Sequence, residues 1–145
     1  MRRFAILAFI VMTAFTALAC QSYTTGVQQS VARADETTIV AALRTIGIAQ
    51  QTYSLSNGGN FGTLDQLREG GYLDIRFNSA NGGLKNYSLT IDAKPQSDGA
   101  PASFSCNADP TNTGPQAGRH FYMDSSSQAV HVNPDRPATA ADPTY

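Results

Sequence analysis

The chain has 145 residues, enough for one domain and little else. Charged residues make up 14%, against about 25% in an ordinary soluble domain, and polarity comes instead from Ser, Thr, Asn, Gln and Gly. The net charge is −1 with no basic cluster in the chain after Arg2 and Arg3, which argues against a phosphate-tracking surface and hence against nucleic-acid binding.

Residues 1–19 read as an export signal. Arg2 and Arg3 supply a positive start, Phe4 to Leu18 form an apolar run, and Ala17-Leu18-Ala19 offers a small-residue cleavage site after Ala19. The run is shorter than the ~20 residues a membrane span needs, and Gln21, Ser22, Thr24 and Thr25 stop it. Cleavage after Ala19 leaves eight basic residues against eleven acidic, a net charge of −3. It also exposes Cys20 as the first residue. "ALAC" resembles a bacterial lipobox, which implies lipid attachment at Cys20 and, with Gln21 and no Asp following, sorting to the outer membrane. Three other readings stay open: a soluble chain starting at an unmodified Cys20, an uncleaved anchor, and a disulfide from Cys20 to Cys106.

Residues 20–34 are polar and read as a tether that turns helical toward its end. The strongest element follows from Asp35, which with Glu36 suits a helix N-terminus. Ile39, Leu43, Ile46 and Tyr53 share one helical face with Ala42 and Ala49, and Val40 and Ile48 widen the stripe, as for a helix laid on a sheet. Gly47 costs such a helix about 1 kcal/mol and predicts a close neighbour. Asn57-Gly58-Gly59 supplies the stop. Thr63 and Gln66 make a capping box before Leu64 and Leu67, which Gly70-Gly71 terminates. Tyr72, Leu73, Ile75 and Phe77 lead into extended chain, and residues 79–83 read as a turn.

The period then changes to two. Tyr87, Leu89 and Ile91 alternate with polar residues, as do Ala102, Phe104 and Cys106; residues 119–124 and 128–133 predict a hairpin around 124–127. A helix followed by strands predicts an α+β domain over residues 35–132, with one long N-terminal helix packed on an antiparallel sheet of about four strands. Residues 133–145, with three prolines, are expected to be irregular or disordered.

Few residues offer chemistry. His120 and His131 are the two histidines, and a turn centred between Ser125 and Ser126 would make them cross-strand partners. They are weak metal candidates, with Asp124 or Asp135 as the nearest third ligand. Cys106 shares a face with Phe104 and reads as a core residue more than a nucleophile beside His120. Ser125, Ser126 and Ser127 lie in no catalytic motif, and the glycine pairs at 58–59, 70–71 and 82–83 read as caps and turns. No cofactor and no enzymatic activity are expected.

Ala108-Asp109-Pro110, Gly118-Arg119, Phe121-Tyr122 and Asp124 occur in an order that resembles the end of the globular head in bacterial type IV pilin-like proteins. The helix and the "Tyr…Gly…TLDQL" segment after it are similar to the same family, so the likeness covers about residues 32–140. The resemblance implies a pilin-like head. Residues 4–19 hold no Gly and no Glu, where a prepilin leader would carry both, so an export signal stands in its place. The expectation is a non-enzymatic envelope lipoprotein held to a membrane by its lipid, with a structural, adaptor or adhesion role. Its partners would be envelope, pilus or secretion proteins, and loops 78–85 and 107–118 are the candidate contact regions. The alternatives are a minor pilin or pseudopilin of a pilus or type II secretion-like system, retained by an uncleaved N-terminus, and a small periplasmic ligand-binding domain.

Overall fold

A computed structural model describes residues 31, 33–77, 84, 86–112 and 117–145. Among the described residues the first element, α1, is a helix over 33–56, followed by the short helix α2, Leu64–Glu69. Four strands follow: β1 Tyr87–Lys94, β2 Ser103–Pro110, β3 His120–Asp124 and β4 His131–Asn133. They form one antiparallel sheet in the order β1-β2-β3-β4, each strand beside its sequence neighbour. The architecture is therefore α+β, one long helix on a four-stranded meander.

The period-two pattern decides which sheet face meets α1. Phe104, Cys106 and Ala108 of β2 and Phe121 and Met123 of β3 are buried, while the residues between them stay partly exposed. Tyr87 and Leu89 extend the same face on β1. From α1 come Ile39, Val40, Leu43 and Ile46, and from α2 Leu64 and Leu67; all join one core. Full burial of one such aliphatic side chain contributes about 1.5–3 kcal/mol. Gly47 does have a close neighbour: a Cβ there would sit 3.3 Å from the Met123 methyl.

The helix stop is as the sequence predicts. Gly58 and Gly59 take left-handed φ of 64° and 86°, and the Gly59 amide donates to the Ser54 carbonyl at 2.9 Å. Thr63 and Gln66 form the reciprocal capping box of α2. Gln50, fully buried in α1, clamps this region through its amide: Nε2 donates to the Gly62 carbonyl at 2.6 Å and Oε1 accepts from the Gly62 amide at 2.9 Å.

Three expectations need correction. Asp35 is not a cap, because the helix already runs through Arg33 and Ala34; its carboxylate accepts from Asn86 Nδ2 at 2.8 Å instead. Ile48 is 66% exposed, on the side of α1 away from the sheet. Residues 72–77 form turns and bends with no strand, burying Leu73 and Phe77 and exposing Ile75. Residues 133–145, expected as irregular or disordered chain, lack regular structure over most of their length and lie against the sheet. Ala138 is buried and its carbonyl accepts from Asn107 Nδ2, while Val132 donates to the Pro143 carbonyl and Tyr145 to that of Val130. The returning chain thus covers the outer edge of β4, where unpaired strand groups would otherwise face solvent. The turn at residues 79–83 lies outside the described residues.

Candidate functional site

The most developed polar constellation joins the start of α1 to the start of β3. Glu36 is 7% exposed, and the Arg119 guanidinium meets it as a fork. Arg119 Nη2 donates to Oε2 at 2.7 Å, Nε to both oxygens at 3.2 Å, and the Arg119 amide to Oε1 at 3.2 Å. The planar guanidinium suits two parallel bonds to a carboxylate. The bond to Glu36 holds the Arg119 guanidinium still more firmly protonated, against the smaller opposing effect of burial. The Tyr145 ring lies 5.2 Å below the same guanidinium, a cation–π contact.

Tyr87 closes the group from β1. Its hydroxyl donates to the Arg119 carbonyl at 2.9 Å. Burial first, and then the Glu36 charge, hold the phenol above its ordinary pKa. Gly118 is required here, since a Cβ would overlap the Tyr87 hydroxyl. Buried Glu36, Gly118-Arg119 and Tyr87 therefore act as one latch of helix to sheet. Sequence reading singled out Glu36 as a helix-start residue and Gly118-Arg119 as part of a familiar run. It did not join them, because nothing local connects positions 83 residues apart.

The histidines do not face each other. The register pairs His120 with Asn133 and His131 with Tyr122, two residues out of step with the expectation. The cause is the turn: the Gln128 amide closes on the Asp124 carbonyl, Gln128 takes a left-handed φ of 55°, and residues 128–130 add length on one side only. His120 Nδ1 lies 2.6 Å from Asp109 Oδ1, and His131 Nδ1 lies 2.6 Å from the Asp142 carbonyl. Both partners accept, so each imidazole donates from Nδ1. Among the described residues no group of three or more His, Cys, Asp or Glu is placed to hold a metal.

Cys106 is a free, fully buried thiol, and burial pushes its pKa up to about 12, the reverse of what a nucleophile needs. The turn serines border an open groove of about 270 Å³ with Asp92, Ser105, Tyr122 and Asp124. Ser126 Oγ donates to Asp124 Oδ1 at 2.7 Å. Burial alone would raise the Asp124 carboxyl, but the Ser126 hydroxyl and the Ser126 and Ser127 amides together hold it below its ordinary value. These bonds fix the Asp124 carboxylate and the turn that carries the serines.

Ala19 and Cys20 lie outside the described residues, as do 78–83, 85 and 113–116 of the candidate loops; residues 107–110 belong to β2. Among the described residues no helix is long and apolar enough to cross a membrane. The chain matches none of the protein-family models, curated proteins or solved structures with which it was compared.

Proposed function

We propose that the chain is a pilin-like head domain carried by an envelope lipoprotein, with a non-enzymatic structural, adaptor or adhesion role. One observation carries the reading. The long helix comes first and is tied at its start to the sheet by the Glu36–Arg119 fork, so the folded domain hangs from the end that leads back to Cys20. All four strands follow in sequence order. A domain fixed this way passes a pull on its N-terminal chain directly into its core.

The test is mass spectrometry of the intact chain and its N-terminal peptide from native membranes, beside a Cys20→Ser variant. The expected result is a mature chain beginning at an acylated Cys20, with the variant released or unprocessed. An unmodified Cys20 overturns the lipid anchor. A chain still beginning at Met1 would favour the retained minor-pilin reading instead.

A further inference from the structure

Residues 142–145 lie as a short strap along β4. The Val132 amide donates to the Pro143 carbonyl at 2.9 Å and the Tyr145 amide to that of Val130 at 2.8 Å, with an antiparallel bridge between His131 and Thr144. The Asp142 carboxylate fixes the start of the strap by accepting from Asn133, Arg136 and Thr139. These bonds set where the Tyr145 ring falls. It meets the buried Phe121 ring edge to face at 5.6 Å, and its centroid is 5.2 Å from the Arg119 guanidinium carbon.

Arg119 is therefore shared by two ends of the fold. Through Nε and Nη2 it holds Glu36 at the start of α1, and the same guanidinium lies over the ring of the strap. A fork of parallel bonds lasts only while the guanidinium and carboxylate planes stay aligned. Glu36 is buried, whereas the Arg119 side chain is 40% exposed, so the arginine is the half of the pair that water reaches. A ring lying against that half limits its rotation and screens it. Phe121 carries the contact inward, since its ring is tilted against Tyr87 at 6.1 Å, and the Tyr87 hydroxyl donates to the Arg119 carbonyl.

We propose that the strap and the latch are one conformational device, in which residues 142–145 brace Arg119 on Glu36. Lifting the strap from β4 frees the start of α1, and loosening the start of α1 lifts the strap. Tyr145 is a positioning residue in this device, because it acts on Glu36 through Arg119. The coupling runs in both directions, as linkage requires. It holds however the N-terminus is processed, since Glu36, Arg119, Phe121 and the strap are all described residues.

The test is amide hydrogen exchange of the full chain, resolved by residue. Tyr145→Ala is expected to speed exchange over residues 37–40 of α1 about threefold, the size of one partly exposed cation–π contact, and to leave α2 unchanged. Tyr145→Phe keeps the ring and should match wild type. In the other direction, Glu36→Gln should speed exchange at the Val132 and Tyr145 amides by a similar factor. Adding Tyr145→Ala to Glu36→Gln should speed the α1 amides no further. Exchange that rises only at the strap in Tyr145→Ala overturns the proposal, because the strap then opens alone. An equal rise in α2 also overturns it, because the ring then adds only to global stability. So does Tyr145→Phe behaving like Tyr145→Ala, or a Glu36→Gln chain whose strap exchanges as in wild type.

Discussion

The inward and outward faces of α1 differ less in composition than in what lies over them. Inward, Leu43 and Ile46 are fully buried against the sheet, and Gln50 is satisfied by the Gly62 backbone. Outward, Ile48 and Leu55 have apolar side chains of similar size in open solvent. Both rows repeat at helical spacing. Hydrophobic periodicity therefore identifies a helix with apolar positions, while the sheet decides which row becomes the core.

Breaking the inward face should have the largest effect. Leu43→Ala leaves a cavity beneath a fully buried position and is expected to cost about 2–5 kcal/mol, read as a lower denaturation midpoint with unchanged slope. Removing the latch comes next. Arg119→Ala strands a buried carboxylate, but the guanidinium is 40% exposed, so the expected loss is about 2 kcal/mol, below that for a fully enclosed pair. A double-mutant cycle with Glu36→Gln should recover part of it; strictly additive effects would show that the two residues do not act together.

Acid provides a smaller test, away from α1. Asp142 accepts from Asn133 Nδ2, from two Arg136 nitrogens and from the Thr139 amide and hydroxyl. Led by the Asn133 bond and opposed by burial, these contacts lower its pKa to about 2. Its folded pKa lies below the unfolded value of about 3.9, so its contribution is complete above that value and disappears as pH falls through about 2. Melting temperature should fall over that window in wild type and fall less in Asp142→Asn. Equal slopes would remove Asp142 from the account.

The smallest effect on folding is expected on the outward face. Ile48→Asp and Leu55→Asp should shift unfolding by no more than about 0.5 kcal/mol, because neither side chain is covered. A loss like that of Leu43→Ala would mean that the two faces are not distinct.

The local features were legible in the sequence. Thr63 and Gln66 cap α2, Gly58 and Gly59 stop α1, and alternation places Tyr87, Leu89, Phe104 and Cys106 on the core face. What escaped depends on long-range geometry. The Glu36–Arg119 fork has no local pattern, and the histidine register was shifted by a left-handed residue at Gln128 that composition does not signal. Three prolines mark residues 133–145 as irregular, but irregular backbone can still be fixed in place, here through the Asp142 carboxylate.

The distance along the chain between the two halves of the latch also has a kinetic meaning. Neighbouring strands of the meander close short loops, whereas Glu36 and Arg119 close one of 83 residues, whose entropy must be met before the fork forms. Contacts that form after the folding barrier leave the rate of folding nearly unchanged and slow the reverse step. The latch is therefore expected to act as a brake on unfolding: Arg119→Ala should speed unfolding and leave the folding rate of the domain nearly unchanged, and an equal slowing of folding would show that the fork forms before the barrier.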